Sequence, residues 1–316
     1  MLSISVIIAT RNRALYLFKA IESVLLQTFN DYELLIVDND SKDNTKEIVD
    51  NFISINSKVK YFYEPVIGLS KARNYGIEEA KGEVIVFLDD DAVADPQWLE
   101  AHWQAYQEDP NVVAVGGRIF LDWQSIRPVW LSSSLDNRLG KFDLGRCMRQ
   151  MTDNEYPFGG NMSFPRQLLK GIGGFSRFLG MKGKLLLGNE EKDLFIRIRK
   201  TNPIGKIFYS PQALIYHAVL DEKLNKSYFI QRIMGQGISD VRVRERSQGY
   251  RASSFRCLFR AFDMWIKSLA WFIKFVCLSI SEKQKAGCFY NKMQAAYCWA
   301  YGKEYFILMF RRGLKN

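Results

Sequence analysis

The feature that most constrains this chain is the alternation that fills its first 90 residues. Ile4–Ala9, Glu33–Val37, Val59–Tyr63 and Val84–Leu88 are short apolar runs, rich in β-branched and aromatic residues, and segments with helical spacing lie between them. Leu15, Phe18, Ile21, Val24 and Leu25 mark the first such segment, which ends near Gln27; Thr45–Phe52 is the second and Ser70–Ala80 the third, closed by Gly82. Strands that are apolar without alternation are buried on both faces, as in parallel sheets. The pattern therefore predicts an α/β fold with a mainly parallel central sheet, helices on both faces, and a site at the carboxyl ends of the strands. With 316 residues, 47% of them hydrophobic and 25% charged, the chain can build such a core, and its composition argues against disorder, collagen-like repeats and a porin-like barrel.

Beyond Pro96, which opens a helix reaching about Gln107, the apolar run Val112–Val115 is followed by a Gly-rich, polar stretch from Gly116 to Gly160 that reads as irregular chain. A helical pattern returns at Asn189–Lys200, and Lys206–Tyr209 and Ala213–Tyr216 read as short strands. The formal charge of +10 is unevenly placed: Arg242–Asn316 carries 15 Lys+Arg against 4 Asp+Glu, and the rest of the chain balances 29 against 30. These shifts predict one domain over residues 1–245 and a basic, aromatic-rich helical region over 246–316. In that region Phe262, Trp265, Ile266, Leu269, Phe272, Ile273 and Val276 recur at helical spacing, with Lys267 and Lys274 off the stripe. Such a helix either packs on the domain or lies in the headgroup region of an anionic membrane. Its most apolar stretch, Phe262–Ser281, holds Asp263, Lys267 and Lys274, so lying on a membrane fits better than crossing it. Met1–Ala9 lacks a basic leader and is followed by Arg11 and Arg13, so it reads as a strand and not as a secretory signal. Five cysteines without C-x-x-C spacing suggest neither a disulfide framework nor a zinc site, and fit a reducing compartment.

The sharpest chemical signal is Asp89-Asp90-Asp91, three carboxylates directly after an apolar strand. Adjacent like charges raise one another's pKa, so a strand end that carries them is either a solvated acidic turn or the seat of a hard divalent cation, Mg²⁺ or Mn²⁺, shared by Asp89 and Asp91. The polar run Asp38-Asn39-Asp40-Ser41-Lys42-Asp43-Asn44-Thr45 follows the second strand; a carboxylate there can accept from a ribose hydroxyl or a base, and Asp43 or Asn44 can cap the next helix. Thr10-Arg11-Asn12-Arg13 follows the first strand, and no G-x-G-x-x-G or Walker A sequence occurs anywhere, which argues against dinucleotide dehydrogenases and P-loop enzymes.

Taken in order, Ser5–Asn12, Gln27-Thr28-Phe29, Glu33–Asn39, Gly68-Leu69-Ser70-Lys71-Ala72-Arg73-Asn74-Tyr75-Gly76 and Phe87–Asp91 resemble family 2 glycosyltransferases of the GT-A fold, from residue 3 to about residue 235, with a fainter likeness to bacterial exopolysaccharide enzymes. The resemblance implies a Rossmann-like nucleotide-binding half in which Thr10, Arg11, Asn12, Asp38, Asn39, Arg73 and Asp90 surround the donor nucleotide, and Asp89 and Asp91 stand at the D-x-D positions. Many relatives have a second Asp where this chain has Asn39. Phe158–Phe164 resembles the loop that shapes the donor-sugar and acceptor pocket, placing Gly160, Asn161 and Glu190 there. Glu191 falls on the general-base position, usually an Asp, and its longer side chain still needs only to reach hydrogen-bond distance of an acceptor hydroxyl. The dipole of a helix start offers a plainer reason for acids at these positions. His217 ends a P-x-A-x-x-x-H run that in related chains lies near the diphosphate and metal, whereas His102 carries no implied role.

The reading that follows is an inverting, metal-dependent transfer from a nucleoside-diphosphate-sugar to a saccharide or lipid-linked saccharide in surface polysaccharide synthesis. The expected location is the cytoplasm, peripheral on the inner face of the membrane, with no nucleic-acid partner. A sugar nucleotidyltransferase is one alternative, although it wants a Gly-rich, basic loop after the first strand. A non-catalytic basic protein that binds membrane or nucleic acid is the other, although nucleic-acid grooves interleave their cations with stacking aromatics.

Overall fold

The computed structural model describes residues 2–181, 186–247, 254–279 and 285–313. They fall into two compact units: residues 1–123, 139–178 and 190–219 form the first, and residues 124–138, 179–189 and 220–316 the second. The second unit thus takes in more than the residues beyond 245.

The first unit follows the predicted alternation. β1 (Ile4–Thr10), α1 (Ala14–Leu25), β2 (Tyr32–Asp38), α2 (Thr45–Ile55), β3 (Val59–Tyr63), α3 (Leu69–Glu79) and β4 (Val84–Asp89) come in turn, and the strands pair in parallel in the order β3-β2-β1-β4. β5 (Ala92–Ala94), α4 (Trp98–Glu108), β6 (Val112–Trp123), β7 (Arg149–Gln150), β8 (Asn161–Pro165), α5 (Arg166–Gly171), α6 (Glu190–Thr201) and β9 (Lys206–Val219) complete it. β8 joins β4 antiparallel, and β6, β9 and β5 extend the sheet beyond it. Ile4, Val6 and Ile8 of β1 point to a core built with Leu17 and Ile21 of α1, Val49 of α2 and Trp98 of α4. Ile7 points the other way, to Ala72 of α3, Leu169 of α5 and Phe195 of α6. The strand is therefore buried on both faces and the helices do cover both, as its unbroken apolar run requires.

Three local outcomes differ from the sequence reading. The stretch 116–160, read as irregular, holds the second half of β6, whose pairing with β9 shifts register between Gly117 and Arg118. Asn161–Pro165 is a strand, and the two short strands expected over 206–216 are one 14-residue β9 with Pro211 inside the register shift. Asn189 cannot open α6, because its φ of +67° is left-handed, so the helix starts at Glu190.

The second unit contains α7 (Lys226–Ser247), α8 (Ser254–Ser279) and α9 (Lys285–Gly313). Val241, Cys257, Ala261 and Tyr305 form its buried centre, and Trp265 stacks on Trp299 at 5.7 Å. The predicted apolar stripe of α8 is thus divided: Trp265 faces inward, while Phe262, Ile266, Leu269, Phe272, Ile273 and Val276 face solvent. Among the described residues no helix is long and apolar enough to cross a membrane, and the cysteines form no disulfide.

Candidate active site

The carboxyl ends of β1 and β4 are neighbours because the two strands pair in parallel with Ala9 opposite Asp89. Thr10 ends β1, and its hydroxyl donates to Asp90 at 2.8 Å. Arg13, at the start of α1, reaches across with one nitrogen, donating to Asp91 at 2.5 Å and to Asp90 at 3.3 Å. Burial pushes the Asp90 carboxyl up to about 6, against the pull of Arg13. Arg13 is a residue the sequence reading left without a role; its only signal was a second arginine in the polar run after β1.

The turn after β4 is fixed by β5, which pairs with β9 so that Ala92 faces His217. The Ala218 N–H donates to the Asp91 carbonyl at 2.8 Å, and His217 Nε2 lies 3.1 Å from Asp91 Oδ1. The other ring nitrogen, Nδ1, is buried without a hydrogen-bond partner, and a Cβ on Gly140 would stand 3.2 Å from it. Asp89, Asp91 and His217 each offer a ligand atom, all within 4.8 Å of one another. Two hard carboxylates and one imidazole suit Mg²⁺ or Mn²⁺, and the imidazole favours the latter.

Arg73, buried in α3, draws a second set of acids together. It donates to Asp89 at 3.1 Å, and its Nη1 lies 3.5 Å from Glu191 and 3.6 Å from Glu190, beyond hydrogen-bond length. Phe175 and Phe87 lie 5.4 and 5.9 Å from the guanidinium carbon. Burial opposes its charge, but Asp89, Glu191 and Glu190 hold its pKa above the ordinary arginine value. The sequence reading put Arg73 among donor-nucleotide residues; the structure places it as a cationic bridge between the strand-end aspartates and the start of α6. The backbone of Gly159-Gly160 runs between the two sets. A Cβ on Gly159 would overlap the Glu191 carboxylate, and one on Gly160 would stand 2.7 Å from Asp89 Cγ. Asp89, Asp90, Asp91, Glu190 and Glu191 thus gather around Arg13 and Arg73, a concentration of negative charge that a divalent cation would help offset.

Other predicted residues are engaged elsewhere. Asp38 accepts from Tyr61 and from the Ser41 N–H, both at 2.9 Å. Asn39 stitches the loop after β3, donating to the Glu64 and Val66 carbonyls and accepting from Gly68 N–H. Asn12, left-handed at φ +54°, accepts from Lys42 N–H. Arg11 keeps a buried Nε without a partner. Asp43, and not Asn44, serves the neighbouring helix ends, accepting from the Thr45 and Ala14 N–H groups. A cleft of about 430 Å³ lies beside this loop, lined by Glu64, Val66, Lys71, Asn74, Tyr75 and Arg177 among others, and touches none of the five carboxylates.

Asn161 is fully buried, and all four of its side-chain hydrogen-bonding positions are used. It donates to the Arg118 and Ala213 carbonyls and accepts from Trp98 Nε1 and His102 Nε2. His102 therefore carries its proton on Nε2, so Nδ1 accepts from Ser163, whose oxygen accepts from Tyr106. Burial holds His102 near 4 and neutral. Asn161, expected in the sugar pocket, anchors the start of β8 directly after the Gly159-Gly160 turn, and His102 has a part the sequence did not signal.

Comparison with known proteins gives the family and the fold. The model of the family "Glycosyl transferase family 2" matches residues 5–173. The chain is 28% identical over 240 residues to the glucosyl-dolichyl phosphate glucuronosyltransferase of Haloferax volcanii, covering 75% of this chain and 76% of that protein. It is 40% identical over 90 residues to the GalNAc(5)-diNAcBac-PP-undecaprenol beta-1,3-glucosyltransferase of Campylobacter jejuni, covering 28% and 29% of the two chains. Among solved structures, the mannosyltransferase PcManGT of Pyrobaculum calidifontis, in complex with GDP-Man and Mn²⁺, superposes with a TM-score of 0.61 at 18% identity, covering 95% of this chain and 86% of that one. The expected GT-A fold is the fold found.

Proposed function

Because the chain belongs to glycosyl transferase family 2 and is a glycosyltransferase, we propose that it moves one sugar from a nucleoside-diphosphate-sugar to a hydroxyl of a saccharide or lipid-linked saccharide, inverting the anomeric carbon. The observation that carries this reading is the convergence on one glycine pair: Glu191 meets the backbone of Gly159 on one side and Asp89 meets Gly160 on the other, with Arg73 between them. That spacing sets a base at one edge of the pocket and the strand-end aspartates at the other. Glu191 takes the proton of the acceptor hydroxyl as its oxygen bonds to the anomeric carbon. The bond from that carbon to the diphosphate breaks on the opposite side, and its electron pair leaves with the phosphate oxygen. Arg73 holds the Glu191 and Asp89 carboxylates at a fixed separation, and Arg13 with Thr10 fixes Asp90 and Asp91. Asp89, Asp91 and His217 would hold a divalent cation, which when bound offsets the charge growing on the departing diphosphate. The donor class is supported by the GDP-Man and Mn²⁺ held by the Pyrobaculum structure, and the lipid-linked acceptor by the dolichyl and undecaprenol substrates in the names of two relatives. Such an acceptor suits an enzyme of surface polysaccharide synthesis working at the inner face of the cytoplasmic membrane.

The test is thermal stabilisation by UDP, GDP, dTDP and CDP, each with and without Mn²⁺, followed by release of that nucleotide from its sugars. One nucleotide should raise the melting temperature only with metal, and Asp91→Ala should abolish the shift. Glu191→Gln should keep the shift and lose at least about a hundredfold in turnover. No shift with any nucleotide, or full turnover in Glu191→Gln, overturns the reading.

A further inference from the structure

α8 shows two opposite faces. On one, Cys257 and Ala261 are buried with Val241 and Tyr305, and Ser268 donates to the Ala295 carbonyl of α9 at 2.9 Å. On the other, Phe255, Phe259, Phe262, Ile266, Leu269 and Ile273 follow one another at steps of 4, 3, 4, 3 and 4 residues, and each is between 53% and 77% exposed. At 3.6 residues per turn these steps keep all six on one side of the helix along most of its 26 residues. Arg256, Lys267 and Lys274 fall on one flank of that side, and Asp263, the single acid of α8, already accepts from Lys267 at 2.7 Å.

An apolar stripe of this length on a soluble surface marks a docking face. A second copy of the chain is a poor occupant. Pairing would bring together two regions that each carry 15 Lys+Arg against 4 Asp+Glu, and a helical seam gains its partner choice from opposite charges at its edges, whereas the single acid of α8 is already paired with Lys267. An anionic surface answers both features at once: apolar side chains enter the acyl boundary while flanking cations meet phosphates. Phenylalanine supplies three of the six stripe residues, and Lys274 lies over the Trp271 ring at 5.1 Å, a cation beside an aromatic as at membrane interfaces.

We infer that the outer face of α8 docks in the headgroup layer of an anionic membrane, lying along it without crossing. The inference does not rest on glycosyl transfer, and its test reads lipid binding alone. The full chain is sedimented with phosphatidylcholine vesicles and with vesicles in which part of the phosphatidylcholine is replaced by phosphatidylglycerol, at about 0.1 M salt, where surface charge is only partly screened. The protein should bind the anionic vesicles at least tenfold better. Ile266→Asp combined with Ile273→Asp changes only exposed side chains, and should reduce that binding at least tenfold while circular dichroism stays unchanged. Lys267→Gln with Lys274→Gln should lower the preference for phosphatidylglycerol and leave residual binding. Protein remaining in the supernatant with anionic vesicles overturns the inference, as does equal binding by the double aspartate variant. A dimer that this variant splits assigns the face to a second copy instead and overturns it too.

Discussion

Gly159→Ala separates the chemistry from the fold more cleanly than removing a carboxylate. The backbone at Gly159 lies outside the left-handed region, so alanine meets no conformational penalty there and slightly reduces the freedom of the unfolded chain. The added methyl has nowhere to go. Its carbon would stand 2.8 Å from both terminal nitrogens of Arg73, and ordinary contact begins near 3.4 Å, so the guanidinium must retreat by about 0.6 Å and the overlapping Glu191 carboxylate by more. Glu191 is the far end of a flexible, partly exposed side chain and can swing away cheaply. The expected cost in stability is therefore at the low end for overpacking, about 1 kcal/mol. Catalysis is less forgiving, since a displacement on the order of 1 Å in a reacting group costs about a hundredfold in rate. The assay is kcat from released nucleoside diphosphate, alongside urea unfolding and the nucleotide-induced thermal shift. A hundredfold fall in kcat with folding and nucleotide binding retained is the expected pattern. A kcat within threefold of the parent refutes the placement of Glu191 as base, and unfolding sufficient to explain the loss refutes the claim that Gly159 serves the site.

Asn161→Ala should act in the opposite way, on stability first. It leaves the Arg118 and Ala213 carbonyls, Trp98 Nε1 and His102 Nε2 without partners, and at about 1 kcal/mol each the loss is about 4 kcal/mol, read from the urea midpoint; a change under about 1 kcal/mol contradicts the network. His102 gives a pH signature. Its unfolded imidazole takes a proton below about 6.5, whereas the buried one stays neutral until about 4, so stability is intact above pH 6.5 and falls as pH drops from there to 4, by up to about 3 kcal/mol. Urea titrations across that range should show the slope, and His102→Gln should flatten it; an unchanged slope in the variant assigns it to other groups.

Legibility followed the kind of burial each strand experiences. β1 to β4 are apolar on both faces, so their runs stand out against the amphipathic helices between them. β8 is as deeply buried, yet Asn161 and Ser163 occupy it, because its side chains serve a hydrogen-bonded network with Trp98, His102 and Tyr106. A strand stabilised that way has no apolar run to read. β6 was lost at Gly116-Gly117 for a related reason. A side chain at Gly117 would collide with the Ala213 carbonyl and the Asn161 amide, so close packing demanded the residue that a sequence reader takes as a break. On β9, Pro211 falls in the register shift opposite that point, where a missing N–H is tolerated.

The site was legible where its residues are adjacent in the chain and obscure where they meet only through the fold. Three consecutive aspartates declare a charge problem on their own, and the pairing of Ala92 with His217 brings the histidine to Asp91 from 126 residues away. Nothing local distinguishes Arg13 from Arg11 as the partner of Asp91, since both follow β1; the helix that begins at Ala14 turns one toward the aspartates and leaves the other beside the β2 loop. Arg73 teaches the same point about charge. In the sequence it is one cation in a polar helix, and its value comes from burial, which it tolerates only because Asp89, Glu190 and Glu191 surround it. Removing it would leave three buried or half-buried carboxylates facing one another, an arrangement that burial and mutual repulsion both oppose. The arginine and the acids are therefore a single device: the fold can gather this much negative charge around a glycine loop only by placing a fixed cation at its centre.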